Sequence, residues 1–257
     1  MYKFLLKPKW IGFHALCLVA MVAMINLAFW QLRRLDEKRT FNDRVTAHTN
    51  EDIAAFSDLI GGNDFDDVIY RRVEATGTYL ATPQFEVVNV TQEGTTGRNA
   101  VSALQLDDGS LVIVNRGFVP TGSPVPAPPT GEVQVLARLK VGQSARTGQP
   151  ADDGSQQLTE IRRVDLKALG QQFAQPLAPM YLELLESTPA EPNSVSAVAF
   201  PDLGEGSHLS YAGQWFIFTV CVGAGWVLAV RKSTHERTGL AKPKKRRGPP
   251  PIADEFR

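Results

Sequence analysis

The sequence predicts an α+β membrane protein: two transmembrane helices in a hairpin, flanking an extracytoplasmic antiparallel β domain (a small barrel or a sandwich) with one or two short helices. Three observations predict it. Two apolar runs stand towards the ends of the 257-residue chain, short β-branched runs punctuated by Gly, Pro and Asp fill the middle, and charge is segregated between middle and ends.

The first apolar run, Ile11 to Trp30, holds twenty residues with His14 and Asn26 as its polar members, and about twenty apolar residues span roughly 30 Å of hydrocarbon. Lys3, Lys7 and Lys9 precede it, as basic residues precede a secretory leader. Its apolar stretch is longer than such a leader's, and Phe29-Trp30-Gln31-Leu32 lacks the small residues of a cleavage site, so it reads as an uncleaved anchor. The second run, Trp215 to Val230, has sixteen uncharged residues and reaches twenty with Tyr211 to Gln214 as an interfacial turn. Trp10, Trp30 and Trp215 mark span ends, where an indole keeps its ring in the acyl boundary and its N–H wet. Cys17 and Cys221 both fall within the spans and read as small packing residues, which leaves the middle domain without a disulfide.

Charge supplies the orientation. Residues 31–210 carry 15 basic and 24 acidic side chains, a net of −9, and the two ends carry 12 and 3, a net of +9. Basic flanks stay on the cytoplasmic side. The expected layout is therefore a cytoplasmic N-terminus over 1–10, spans over 11–30 and 211–230, an extracytoplasmic domain over 31–210, and a cytoplasmic tail over 231–257, all in the plasma (inner) membrane. Arg33, Arg34, Lys38 and Arg39 oppose this locally, but Asp36 and Glu37 accompany them and long loops translocate largely regardless of charge.

Beyond the first span, "QLRRLDEKRTFNDRVTAH" continues a helical pattern for a few turns. Gly61, Gly62 and Asn63 break it, and Asp64, Asp66 and Asp67 miss the alternate spacing of a calcium loop. Strands follow: "RRVEATGTYL", "FEVVNV", "NAVSALQL", "SLVIVNRGFV" and "EVQVLARLK". Asp107-Asp108-Gly109 reads as a hairpin turn. The proline-rich Thr121 to Gly131 reads as an exposed connection. Asp165 is the expected N-cap of a short helix that Pro176 stops, and "MYLELLE" and "SVSAVAF" are expected to close the sheet. The tail "PKKRRGPPP" suits anionic lipid headgroups and needs no nucleic acid.

Catalytic signatures are thin. The middle domain has no cysteine and, of histidines, His48 and His208, so a Ser-His-Asp triad would have to use one of these. No GxSxG, HExxH, P-loop or dinucleotide fingerprint occurs, and the chain is expected not to be an enzyme. His14 and His208 belong to opposite ends of the spans, about 30 Å apart, so one haem cannot take both. His208, with Tyr211 and Trp215 at helical spacings after it, is either a haem ligand at the membrane surface or an interfacial histidine bonded to its neighbours.

Four stretches, "FWQLRRLDEK", "YRRVEATGTY", "LVIVNRGFVP" and "HLSYAGQWF", resemble in order and spacing the surfeit locus protein one family of cytochrome c oxidase assembly factors, through most of residues 10–232. Phe118 stands where that family often has tryptophan, and "VSALQL" lacks its usual proline. The resemblance implies a non-catalytic membrane chaperone of the respiratory chain that assists haem a insertion or stabilises the oxidase catalytic subunit at the outer membrane face. It directs attention to Trp30, Gln31, Arg34, Lys38, Arg72, Gly77, Asn115, Arg116, Gly117, His208, Tyr211 and Trp215. The candidate haem contacts are His208, Tyr211 and Trp215, with Arg34 and Arg116 as partners for propionates. Any haem a is expected to be transient. The competing expectations are a permanent accessory subunit of the oxidase or a respiratory supercomplex, and an extracytoplasmic hydrolase.

Overall fold

The computed structural model describes residues 3–62 and 64–237, so Asn63 and the "PKKRRGPPP" tail lie outside the described residues. The chain divides into two units, Met1–Arg39 with Gly204–Arg257, and Thr40–Leu203.

The first unit is a pair of helices. α1 (Pro8–Asn50) starts on a proline, whose fixed φ suits a first helical turn, and runs through the charged continuation well past Trp30 into the second unit. The other long helix spans His208–Arg237. Both are long and apolar enough to cross a membrane. They pair antiparallel: His14 meets Trp226, Phe29 packs edge to face on Phe216 at 5.9 Å, and Gln31 meets His208. Ala28 and Ala212 are buried, small residues that permit close helix approach, whereas Leu16 and Val220 stay 67% and 70% exposed and suit a lipid surround. Asn26 and Thr219 return their polar groups to Val22 O and Trp215 O four residues back, as hydrocarbon demands.

The second unit is a closed barrel of β1 (Arg72–Gln92), β2 (Thr95–Leu106), β3 (Leu111–Pro120), β4 (Glu132–Val141) and β5 (Met180–Thr188). Around the ring the order is β1-β2-β3-β5-β4, and β4 closes back onto β1 through Val73↔Ala137 and Gly77↔Val133. A purely antiparallel sheet was expected; β3 and β5 instead run parallel. The reason is parity, since alternating directions cannot close around an odd number of strands. Two-residue strands, Ala54–Ala55 and Glu160–Ile161, add further parallel pairs to β1.

The stretches expected as two strands, around Gly77 and around Val87, form one 21-residue strand. It shifts register between Tyr79 and Gln84, a step that contains Pro83, so each half can serve a different neighbour. Asp107 to Gly109 make the expected hairpin turn, Gly109 at φ 80°. "SVSAVAF" is not the expected strand: within it Ser196 alone forms a bridge, exchanging backbone bonds with Phe118 at 2.7 and 2.9 Å.

Val73, Val114, Val135, Leu139, Leu182 and their neighbours fill the barrel. A second core lies outside the latter half of β1 and outside β2, β3 and β5, where Phe85, Val101, Ile113 and Tyr181 are covered by Leu158, Ile161, Val164 and Leu169. These strands are thus buried on both faces, which explains why "LVIVNRGFVP" shows no alternation. Part of the cover is α2 (Leu166–Leu169), capped by Asp165 as expected: its carboxylate accepts from Lys167 N and Ala168 N.

Candidate functional site

In the helical unit, the chain approaches its C-terminal helix, α3 (His208–Arg237), through Gly204-Glu205-Gly206-Ser207. Arg39 grips Glu205 with a two-pronged contact, Nε to Oε1 and Nη2 to Oε2, both 2.9 Å. These bonds hold the Glu205 carboxyl below the usual carboxylate range. Both side chains are half-exposed, so the pair places the chain more than it stabilises it.

His208 follows on the first turn of α3. Its Nδ1 lies 2.7 Å from Gln31 Oε1. An amide oxygen can accept and cannot donate, so Nδ1 is the donor of this pair, and in the neutral ring that tautomer leaves the lone pair on Nε2. Histidines that ligate metals commonly have this arrangement, the second nitrogen donating to an oxygen that fixes tautomer and ring orientation. Tyr211 and Trp215 follow one and two turns along α3 and share the His208 face. Tyr211 is half-exposed, and Trp215 packs edge to face on Phe218 at 5.9 Å. Arg34 is exposed and pairs with Glu37 at 2.5 Å on the same helix.

Among the described residues no group of three or more His, Cys, Asp or Glu could hold a bare metal ion. A haem supplies its iron with four nitrogens of its own, so a single imidazole lone pair beside apolar surface fits that group where it would not fit zinc. His14 differs from His208. Trp226 Nε1–H donates to His14 Nδ1 at 2.8 Å, which leaves the proton on Nε2 and makes this ring a hydrogen-bonded tie between helices. His48 Nδ1 lies 2.8 Å from Ile69 O, so neither His48 nor His208 has a carboxylate on Nδ1.

The other positions singled out, Arg72, Gly77 and Asn115-Arg116-Gly117, belong to the barrel unit. Arg116, a candidate partner for a propionate, has its guanidinium engaged within the barrel. It is the extra residue of a bulge in β3, since Ala100 pairs with Gly117 and Val101 with Asn115. Its side chain is 1% exposed, with Nε and Nη2 on Glu191 at 3.0 and 2.6 Å, Nη1 on Pro126 O at 2.9 Å and Nη2 on Ala127 O at 3.1 Å. Gly117 adopts φ 142°, and a Cβ there would meet Ser196 O at 2.3 Å. Arg116 and Gly117 together fasten the segment that returns from β5. Burial, and then the Glu191 charge, push the hydroxyl of the adjacent Tyr79 upward, so that ring stays neutral.

The SURF1 family model, that of the surfeit locus protein one family, matches residues 18–220. The chain belongs to this family. It is 30% identical over 258 residues to uncharacterised SURF1-like proteins of Mycobacterium tuberculosis and Mycobacterium bovis, covering 94% of this chain and 92% of each relative. A SURF1-like protein of Monosiga brevicollis is 27% identical over 262 residues, covering 92% of this chain and 94% of that protein. SURF1 proteins are generally known as oxidase assembly factors. Sequence reasoning reached His208 through the shared motifs but missed Gln31 as its partner, because 177 residues separate them. Glu205, an acid three residues before His208, was a signal that went unread.

Proposed function

We propose that this SURF1 protein assists maturation of a haem–copper oxidase by holding or passing haem a at the outer membrane surface, without catalytic turnover. The observation that carries this reading is the Gln31–His208 contact, which leaves one imidazole lone pair available at a span end. In this reading His208 would hold the iron through Nε2, and Gln31 holds the tautomer that allows it. Tyr211 and Trp215 would offer the haem ring aromatic contact, and the exposed Arg34 would serve a propionate in preference to Arg116, whose donors are engaged within the barrel. Bound haem would supply an iron centre and a large apolar plate. The charge pattern favours cytoplasmic termini and an extracytoplasmic barrel. The test is the absorption spectrum of protein purified in detergent from cells that make haem a, beside His208→Ala. A haem band in the parent that vanishes in the variant is expected; two colourless preparations would remove direct ligation.

One observation favours a permanent accessory subunit as the second reading. A Cβ built on Gly213 or Gly225 meets nothing within 4 Å, so α3 has small-residue surface open to a further helix. Recovery at fixed stoichiometry with mature oxidase supports the subunit. Recovery with haem-deficient intermediates alone supports the transient factor.

A further inference from the structure

At the start of the barrel, Arg72 of β1 lies directly opposite Arg138 of β4, with the Cα separation of about 4.5–5.5 Å that any antiparallel pair has. Both side chains leave the outward face, because the adjoining Val73, Ala137 and Leu139 point into the core. Like charges placed directly opposite in a ladder are destabilising. Glu183 of β5, the next residue along this row, is 3.6 Å from Arg138 Nη2 and 4.0 Å from Lys140 Nζ. Arg72 has no carboxylate partner among the described residues; its Nη2 donates to the Glu51 carbonyl at 3.1 Å. The neighbouring Arg71 is matched by Glu51 at 2.6 Å.

Arg138 and Lys140 thus share one carboxylate, and Arg72 has none. The end of α1 at Asn50 adds about half a negative charge through its helix dipole, which leaves a surplus of more than one. This surplus is not out in water: Arg138 is 3% exposed beneath the Phe200 ring, 5.0 Å from its guanidinium carbon. The Nε atoms of Arg71, Arg72 and Arg138 are all buried without a hydrogen-bond partner. Arg116 shows how the same barrel treats a buried arginine that is fully matched.

We propose that Arg72, Arg138 and Lys140 form a seat for one phosphate group, carried on a phospholipid headgroup or free in solution. Arginine forks and a lysine ammonium are the donors that recognise phosphate. The seat adjoins the stretches by which the chain leaves this unit. Phe41 packs on Tyr70, whose ring and hydroxyl meet Lys140, and Asn42 bonds Leu203 O. The chain also carries two helices apolar enough to cross a membrane, which makes a headgroup one available source. The seat is independent of His208 and of the haem reading.

The experiment uses full-length protein in detergent, before and after delipidation. After delipidation, inorganic phosphate titrated against chloride at constant ionic strength raises the thermal midpoint saturably. Arg72→Gln keeps a donor for the Glu51 carbonyl yet weakens that response at least about tenfold, the loss of one charge-assisted bond. Without phosphate this variant is as stable as the parent or more so, because a like-charge contact has gone. Lys140→Gln serves as the second variant, since Arg138→Gln puts a buried position at risk. A headgroup source gives one phospholipid phosphorus per chain before delipidation, lost in Arg72→Gln. The proposal fails if neither phosphate response nor retained phospholipid is found, or if both variants respond as the parent does.

Discussion

Arg116 and His208 lie in two of the family-like motifs, and the two units endow them differently. In the barrel, Arg116 is buried with Nε, Nη1 and Nη2 all engaged. In the helical pair, His208 has one nitrogen fixed by Gln31 and the other without a hydrogen-bond partner among the described residues. The lesson is that shared motif residues sort by hydrogen-bond satisfaction. A group whose donors are consumed internally holds the fold, and one left with an open lone pair is positioned for a ligand.

The strongest way to break the comparison is Arg116→Ala, which strands the Glu191 carboxylate and should lower stability by about 3–5 kcal/mol, read by denaturant unfolding of the detergent-solubilised protein. His208→Ala should cost far less, about 1 kcal/mol for the bond to Gln31, while removing any haem band. Gly117→Ala, forced against Ser196 O at a positive φ, should cost about 1–3 kcal/mol and expose the return segment to protease. Gln31→Leu sharpens the other side: haem affinity should fall about 10–100-fold, and ¹⁵N shifts of the haem-free protein should move the His208 proton from Nδ1 to Nε2. Asp165→Ala, the smallest change, should cost about 1 kcal/mol, with amide exchange quickened around α2.

An alkaline titration tests the barrel separately. Burial, with Glu191 and Glu183 adding to it, raises the hydroxyls of Tyr79 and Tyr181 above the ordinary tyrosine range. Their stabilising contribution is complete below about pH 10, the unfolded value, and declines above it as the unfolded chain ionises while the folded rings do not. Tyrosinate absorbance from these two rings should appear together with unfolding.

Local chemistry made much of this legible. The apolar runs, the Asp107 to Gly109 turn and the Asp165 cap each depend on residues within a few positions of one another. What escaped depended on distant parts of the chain. Closure of β4 onto β1 and the parallel β3–β5 pair follow from five strands sharing one ring, a property no single segment carries. "SVSAVAF" has strand composition but lies over the bulge at Gly117, where it finds one bridging partner, while Gln92 occupies the backbone groups of Ala197 and Ala199. Within the candidate site, His208 was legible by motif, whereas Gln31 as its partner and the Glu191 match to Arg116 needed the fold.

Two side-chain bonds that join the long helices involve His14 and Gln31 on α1, which a rise of about 1.5 Å per residue separates by about 26 Å. That span is close to the roughly 30 Å of a bilayer's oily layer, so a membrane crossed by the pair would have one tie near each of its faces.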